Sequence, residues 1–344
     1  MPKVAPEKLL DFVARILEAL GTPLAPARRV AEHLVAADLT GHESHGVLRL
    51  KQYCFHVHEG HVKPAAQPRV AREHGVSVVV DGGCAWGPIV GQFAADLAIE
   101  KAREHGVGIV SVNNCYHLGR VGVYPEQAAR EGLIGMAFCN VQGSARMAPW
   151  GANERRVPTN PIAIAIPTRS EPIVADFATS AVAEGKVRLA KIKGEQIPSG
   201  WVFDPNGAWS NDPNDLYESG SLAPLGGEQG HKGYSLAVAM DLLGGILSGA
   251  GSGLMSKRYG NGLLLQVIDP GVLTDAAAYQ RRIDAYVAYL KSARRRPGVD
   301  EVLLPGEIER QRMVERRHNG LELSDGVRQM LHELAVTHGV ELAL

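Results

Sequence analysis

The stretch VSVVVDGG, residues 76–83, is the segment that decides the fold class. β-branched residues fill it and glycines close it, which predicts a buried strand followed by a turn. An alternating pattern continues from there, with a helix over residues 89–105, the strand VGIVSVNN, a helix over residues 124–131 and the strand IGMAFCN. Strands and helices that alternate in this way predict an α/β domain in which helices cover a sheet.

Three helical patterns precede this region. Apolar residues recur with a period near 3.6 up to Gly21, and a second amphipathic run follows Pro26. A third helix is predicted from about Ser44, so that His45 and Arg49, four residues apart, share one of its faces. The sequence therefore predicts a small N-terminal helical domain over residues 1–75.

Beyond residue 160 the pattern is less regular. The predicted elements are strands at PIAIAIP and PIVADFATS, a helix over 181–192, a helix over 234–247, a strand over 263–268, and helices over 277–291 and 325–337 with LLPGEIE between them. Residues 198–224 form a long Pro-, Gly- and Asp-rich loop, and such loops are usually either functional or wrongly assigned. DFATS, residues 176–180, stands directly before the helix predicted at 181, where free backbone N–H groups can bind a phosphate; helix capping explains it equally well.

The composition is that of a globular protein without a nucleic-acid footprint. The chain has 344 residues, 45% of them hydrophobic, with 36 basic and 37 acidic side chains. No basic excess favours a polyanionic partner. Charged residues interrupt the first apolar run, and no later run is long enough to cross a membrane, so we expect a cytoplasmic protein. The four cysteines form no CxxC pair, which predicts buried thiols.

Several polar side chains follow predicted strands or begin predicted helices, where clefts form. Arg49 suits a carboxylate, since a guanidinium binds carboxylates with two hydrogen bonds. His117 or His45 suits proton transfer near neutral pH. Each histidine is equally compatible with an ordinary surface or core position. Neither a GxSxG nucleophile turn nor the glycine signatures GxGxxG and GxxxxGK[ST] occur, so no Rossmann pyrophosphate turn can be identified.

The segment HVHEGH gives a competing interpretation. His56, His58 and His61 are three potential zinc ligands within six residues, which leaves a metal-dependent hydrolase as an alternative. The HExxH spacing is missing, and on one helix His56 and His58 would point about 200° apart. A solvated helix end explains the segment without any metal.

Taken in order, the motifs resemble one known family over nearly the whole chain. They are ESHGVLRLKQY (43–53), NNCYHLGRVGVY (113–124), PWGANERRVPTNPIAIAIP (149–167), DFATSAVAEGKV (176–187), IPSGWVFDPNG (197–207), and PLGGEQGHKGYSLA together with LLPGE. The chain resembles the second type of malate/L-lactate dehydrogenases, a family that also holds sulfolactate dehydrogenase, ureidoglycolate dehydrogenase and piperideine-2-carboxylate reductase.

The resemblance implies an oxidoreductase that uses NAD, with NADP also possible, and interconverts a small 2-hydroxy acid and its 2-oxo acid, malate first and lactate second. Reduction of a cyclic imino acid and oxidation of ureidoglycolate stay open. It further implies a non-Rossmann fold with a mixed sheet flanked by helices, no metal, and a homodimer. Residues 136–304 would be the cofactor-binding domain, and residues 76–135 an α/β domain completed by residues 305–344.

The same resemblance assigns roles to individual residues. His117 becomes the proton acceptor, and Ser44, His45 and Arg49 lie at the substrate and nicotinamide, with Tyr53 and Thr159 as neighbours. The implied cofactor contacts are Asn140, Val141, Asp176, Phe177, Ala178, Lys232, Gly233, Pro305, Gly306 and Glu307. The chain departs from the family pattern at Cys115, Pro158 and Arg120. An additional arginine near His117 favours a dicarboxylate such as malate, because a second carboxylate would gain a charged partner.

Overall fold

A computed structural model describes residues 3–343. The N-terminal part consists of a short strand, three helices and two single 3₁₀ turns. These elements are β1 (Lys3–Val4), α1 (Pro6–Ala19), α2 (Leu24–Leu39), the turns Glu43–His45 and Val47–Arg49, and α3 (Leu50–His58). Their apolar faces pack with the C-terminal helix, and Trp86, Tyr116 and Tyr53 complete the same buried cluster.

The centre of the molecule is a seven-stranded sheet with helices packed on it. The elements that follow in the chain are β2 (Arg69–His74), β3 (Ser77–Asp81), α4 (Gly87–His105), β4 (Val107–Cys115), α5 (Val123–Arg130), β5 (Ile134–Gln142), β6 (Ile162–Ile166), β7 (Ile173–Phe177), α6 (Glu184–Lys193), β8 (Val202–Phe203), β9 (Trp209–Ser210), β10 (Ser221–Leu222), α7 (His231–Met240), β11 (Gly260–Ile268), α8 (Ala276–Lys291), α9 (Glu307–Asn319), β12 (Leu321–Glu322) and α10 (Asp325–His338).

The strand order is β2-β3-β4-β11-β5-β6-β7. Only β3 and β4 are parallel, and every other neighbouring pair is antiparallel. The predicted α/β class with a mixed sheet flanked by helices is therefore confirmed. Alanines on α4, such as Ala94 and Ala98, allow this helix to pack closely on the apolar face of the central strands.

The predicted helix from Ser44 is wrong. The chain forms two 3₁₀ turns separated by Gly46, whose backbone is extended (φ −87°, ψ −152°), and α3 begins only at Leu50. The carboxyl group of Asp38 fills the space beside Gly46 and accepts a hydrogen bond from the Val47 N–H at 2.8 Å. This tertiary contact replaces the intrahelical bonds that a continuous helix would make.

Other differences have similar causes. The helix predicted at residue 181 begins at Glu184, so DFATS does not cap it directly; Thr179 and Ser180 donate instead to the carbonyls of Thr159 and Val182. The loop at 198–224 contains the three short antiparallel strands β8–β10. LLPGEIE leads into α9, a helix whose charged sequence gives no apolar stripe to detect.

The predicted helix over 234–247 starts at His231 and passes into a π-helical turn at Asp241–Ile246. The four cysteines are free and buried, as predicted. Within residues 3–343, no helix has the length and apolar character needed to span a membrane. The division of the chain into three domains stays a prediction.

Candidate active site

His117 lies just after β4 at the centre of a cluster of rings. Its side chain is 7% exposed. The ring of His45 stacks on it, with centroids 5.7 Å apart and planes within 14°. On another side the hydroxyl of Tyr53 lies 2.9 Å from His117 Nδ1. The sequence-predicted residues His117, His45 and Tyr53 are therefore brought together, although up to 72 positions separate them.

Burial keeps both histidines neutral. Burial is the larger cause, and the positive charge of Arg49 the next, in lowering the pKa of His117 well below the ordinary 6.5. The same two causes lower the pKa of His45 to about 3. A neutral imidazole has a free nitrogen lone pair, so His117 can accept a proton at neutral pH.

Arg49 is held beside these rings by neutral partners only. Its Nε donates to the Ser44 carbonyl at 2.6 Å and one Nη to Gln52 Oε1 at 2.8 Å. Within residues 3–343 no carboxylate forms an ion pair with it. Its charge is thus available for an anion that enters the site.

The turn that carries Ser44 packs against the start of α6. A Cβ atom added to Gly185 would lie 2.4 Å from Ser44 Cβ, so the two backbones approach as closely as glycine permits. Ser44 Oγ lies 2.9 Å from His45 Nδ1 and fixes the orientation of that ring. Ser44 is therefore placed to act through His45.

Glu184, in the first turn of α6, is an acid whose pKa is affected by the positive charge of Arg49. Burial alone would raise the pKa of Glu184, but Arg188, Tyr217 and Arg49 together lower it. Its carboxylate receives hydrogen bonds from Arg188 and from the Tyr217 hydroxyl at 2.8 Å. Glu184 is therefore ionised, and Arg188 neutralises it rather than Arg49.

Arg120 does not supply a free cation, so the argument from it for a dicarboxylate is wrong. Its side chain is 7% exposed and pairs with Asp176 and Glu126, each at 3.3 Å. Asp176 also accepts the Gly122 N–H at 3.0 Å, and the Arg120 N–H donates to His33 Nε2 at 3.0 Å. Burial raises the pKa of Asp176, although the Arg120 charge opposes that rise. These contacts anchor the loop that carries His117.

Two of the segments predicted to bind the cofactor, at Phe177–Ala178 and at Lys232–Gly233, are linked to each other and to Thr159, a predicted neighbour of the substrate. Thr159 O accepts hydrogen bonds from the backbone and the hydroxyl of Thr179, both at 3.0 Å. Thr179 O in turn accepts the Leu225 N–H at 2.9 Å. A Cβ on Gly233 would lie 2.2 Å from Leu225 O. The ends of β6 and β7 and the start of α7 therefore form one continuous surface.

Two side chains on this surface, those of Phe177 and Lys232, are exposed to solvent. Phe177, at the end of β7, is 43% exposed. Lys232 is exposed in the first turn of α7, where backbone N–H groups lack partners within the helix. Ala178 follows Phe177 directly and is half-buried.

Asn140 and Val141, at the end of β5, are bonded within the protein. The Asn140 amide donates to Asp241 at 3.2 Å and to Gly251 O at 2.6 Å, and its oxygen accepts the Gly262 N–H at 2.8 Å. The Val141 N–H donates to Asn160 Oδ1 at 3.1 Å. The Asn140 side chain therefore holds β5, β11 and the π-helical turn together, and the Val141 backbone is fixed by Asn160.

Pro305, Gly306 and Glu307 lie at the opposite end of β7 from Phe177. Pro305 O accepts the Val174 N–H at 3.1 Å. Gly306 has a left-handed backbone (φ 92°), which glycine adopts without strain. Glu307 accepts bonds from the Leu304 N–H and Lys291, both at 2.8 Å. The turn thus contacts β7 at Val174, two residues before Asp176.

The three histidines of HVHEGH do not meet at one point, because the rings of His56 and His61 are in edge contact, with centroids 5.0 Å apart, while His58 stands apart from them. His56 Nδ1 is bonded to the Tyr116 hydroxyl at 2.8 Å, and His61 Nδ1 accepts the Tyr259 N–H at 3.4 Å. His58 is exposed at the end of α3. In the described range 3–343, no group of three His, Cys, Asp or Glu side chains is arranged to hold a metal ion.

Sequence reasoning missed Asp38 and His33, which contact the site from behind. Asp38 continues the buried face of α2 that runs through Ala31, Leu34 and Val35. The sequence signal for Asp38 was an acid at the position where the apolar stripe of α2 would place the next buried residue. Such an acid indicates a specific contact, because a buried carboxyl group needs a partner.

Known proteins are similar to this chain in sequence and in fold. A family model described as malate/L-lactate dehydrogenase matches residues 4–332. A malate dehydrogenase from Pyrococcus abyssi is 37% identical, over 98% of this chain and 96% of the relative. The crystal structure of malate dehydrogenase from Entamoeba histolytica has a TM-score of 0.93 and 29% identity, covering 100% of this chain and 99% of that one. A δ1-piperideine-2-carboxylate reductase from Pseudomonas syringae pvar. tomato has a TM-score of 0.83 and 28% identity, covering 97% and 100%. The resemblance inferred from the motifs is confirmed.

Proposed function

We propose that this chain, which belongs to the malate/L-lactate dehydrogenase family, is an NAD(P)-dependent 2-hydroxy acid dehydrogenase. The observation that carries the proposal is the buried, neutral His117 stacked on His45 beside Arg49, which forms no ion pair with a carboxylate of residues 3–343. An acid–base group and an anion-binding group in one enclosed site are the parts that oxidation of a 2-hydroxy acid needs.

Each side chain then has a defined task. Arg49 binds the substrate carboxylate, and His45 orients the 2-oxygen. His117 takes the hydroxyl proton at Nε2 in the oxidative direction. For Nε2 to accept this proton, Nδ1 must carry the ring hydrogen and donate a hydrogen bond to the Tyr53 oxygen, and the 2.9 Å contact between these two atoms allows that arrangement. In the reductive direction the same nitrogen returns the proton.

The surface from Thr159 to Gly233 fits a nicotinamide dinucleotide. The exposed Lys232 ammonium and the positive end of α7 suit a pyrophosphate, and the exposed Phe177 ring suits a flat heterocycle. The family resemblance proposes Asn140, Val141, Asp176, Phe177, Ala178, Lys232, Gly233, Pro305, Gly306 and Glu307 as cofactor contacts; of these, Phe177, Ala178, Lys232 and Gly233 belong to this surface, and Pro305, Gly306 and Glu307 lie at the other end of β7. When bound, the oxidised cofactor supplies the hydride acceptor. NAD is the first expectation and NADP the second.

The proposal includes a cofactor-binding fold of non-Rossmann type. The sheet has a single parallel pair, whereas Rossmann sheets are mainly parallel, and the sequence lacks GxGxxG. We further propose a separate N-terminal helical domain, and the packing of helices α1–α3 on α10 in one buried cluster supports this proposal. A homodimer remains a prediction of the family resemblance, and a cytoplasmic location remains a prediction of the sequence pattern. The exposed apolar side chains of Leu247, Leu254 and Met255 are compatible with a subunit interface.

Malate is the first substrate we propose and lactate the second. Since Arg120 is neutralised by Asp176 and Glu126, the preference for malate rests on the relatives named malate dehydrogenase. Reduction of a cyclic imino acid is a second candidate, because the piperideine-2-carboxylate reductase shares the fold.

The test is oxidation of NADH or NADPH, followed by absorbance, with oxaloacetate, pyruvate, sulfopyruvate and piperideine-2-carboxylate, and ureidoglycolate with the oxidised cofactors. Turnover of a 2-oxo acid supports the proposal and identifies both cofactor and substrate. Turnover of the imine alone would favour the second candidate. Activity that requires zinc and disappears with a chelator would overturn both in favour of the hydrolase.

A further inference from the structure

Asp38 is a buried acid that no step of the proposed reaction uses. It lies in the last turn of α2 and is 4% exposed. Burial is the main cause that raises its pKa to about 8. The C-terminal end of a helix also disfavours negative charge. An acid in such a position destabilises the fold unless a specific contact compensates.

That contact is the turn between Ser44 and Arg49. Asp38 Oδ2 accepts the Val47 N–H at 2.8 Å, and Val47 is 1% exposed. Since water does not reach this N–H group, the Asp38 carboxyl is its hydrogen-bond partner in the fold. Val47 is the first residue of the second 3₁₀ turn, so the bond fixes the point where the turn that carries His45 is followed by the turn that carries Arg49.

The same carboxyl group occupies the space that a side chain at Gly46 would need. A Cβ atom added there would lie 2.0 Å from Asp38 Oδ1 and 2.3 Å from its Cγ. The backbone of Gly46 is extended and within the range of any residue, so glycine is needed here for space and not for its backbone angles. Asp38 and Gly46 therefore form a matched pair.

The end of α2 is itself fixed. Arg316 of α9 donates to the Asp38 carbonyl oxygen and forms an ion pair with Glu43 at 2.7 Å. Arg316 thus contacts the residue behind the turn and the residue at its start. The Asp38 carboxyl projects from this fixed support onto the Val47 N–H, whereas the N–H groups of Gly46 and Arg49 bond to carbonyls within the segment.

We propose that Asp38 is a positioning residue for substrate binding, which holds the Ser44–Arg49 turn from behind through Val47 and Gly46. The proposal rests on the proposed function of Arg49 and His45. Asp38 itself does not reach the substrate, so its effect passes through the turn. Loss of the carboxyl group displaces Arg49 and weakens binding of the substrate anion, while the cofactor surface stays intact.

Three variants separate the hydrogen bond from packing and from general stability. Asp38→Asn keeps an acceptor for the Val47 N–H, whereas Asp38→Leu keeps the branched shape and removes the acceptor. Leu34→Ala loosens the same helix in its core without touching the turn. We expect D38L to raise KM for the best 2-oxo acid, and Kd for oxamate or tartronate, by about tenfold or more, because a buried N–H loses its partner.

D38N should stay within about threefold of the wild type in both constants, and NADH should bind all four proteins alike. L34A should lower the melting temperature and leave KM unchanged. If D38L matched L34A in its KM, Asp38 would have no positioning role.

A second measurement does not depend on activity. Hydrogen exchange of the peptide that contains Val47 should be faster in D38L than in L34A and unchanged in D38N. A wild type that turns over none of the acids while showing this pattern would refute the proposed function and support the structural role of Asp38. Equal exchange in D38L and L34A would overturn that role.

If D38L does not fold, a double-mutant cycle replaces it. Gly46→Ala should raise KM in the wild type, because its methyl group displaces the carboxyl group. In the Asp38→Ala background the same change should cost little more, since the space is then free. Additive effects of G46A and D38A would contradict the matched pair.

Discussion

The hydroxyl of Tyr53, from helix α3, lies 2.9 Å from Nδ1 of His117, from the loop after β4. Burial raises the pKa of Tyr53 above its ordinary value of 10.0, so the hydroxyl stays protonated. The contact joins the N-terminal helices to the central sheet at the position where proton transfer is proposed.

Tyr53→Phe should lower kcat by about tenfold and change KM little, because Nδ1 of the buried His117 imidazole loses its hydrogen-bond partner. Steady-state kinetics with the best 2-oxo acid tests this. Tyr116→Phe is the matched control, since its hydroxyl contacts His56 instead. Equal effects of the two variants would mean that the His117 contact has no special role.

His117→Ala should reduce kcat by a factor of about 10² to 10⁴, the range typical of a general acid–base group. NADH binding, followed by fluorescence, should be retained. His58→Ala, at an exposed position, should behave as the wild type. An inactive H58A with an active H117A would point to the histidine-rich segment as the reactive site.

Arg49→Gln should raise KM for the 2-oxo acid by about 10- to 100-fold, because a charge-assisted hydrogen bond is lost. Arg49→Lys should recover only part of this, since an ammonium lacks the planar pair of donors. Lys51→Gln removes the same charge from a side chain that is 67% exposed, and its KM should stay unchanged. Equal KM values for R49Q and K51Q would argue against a direct role of Arg49.

Arg120→Gln should leave the ratio of kcat/KM for oxaloacetate and pyruvate within about twofold of the wild type, because a neutralised arginine offers little to a second carboxylate. Both values should fall together as the His117 loop loosens. A selective loss of activity with oxaloacetate would instead indicate that Arg120 contacts the substrate.

Asp38 gives a pH dependence of stability with a definite sign. Its pKa rises from the ordinary 3.8 to about 8 on folding, chiefly through burial, with the Val47 bond and Arg316 opposing and Glu43 adding to the rise. Between these values the folded state binds more protons than the unfolded state, so stability falls as pH increases. The melting temperature of Asp38→Asn minus that of the wild type should therefore increase from about pH 5 to pH 8. A difference independent of pH would mean that Asp38 titrates normally in the folded protein.

The sequence by itself determined the sheet class and the identity of the central candidates. Runs such as VSVVVDGG and VGIVSVNN are local signals, because the preference of β-branched residues for strands and of glycine for turns can be recognised within the segment itself. His117 was singled out because it follows the second of these runs, Arg49 because a guanidinium suits a carboxylate, and the order of the motifs identified the family.

Only the tertiary structure decided the contacts that set the chemistry. Whether Arg120 is free depends on Asp176, 56 positions away in sequence, and the Ser44 turn depends on the Asp38 carboxyl beside Gly46. Local periodicity favoured a helix there, and a buried hydrogen bond overrode it. Pairing, burial and pKa arise from distances between segments that only the folded chain brings together, which is why charge and turn geometry could not be predicted from the residues alone.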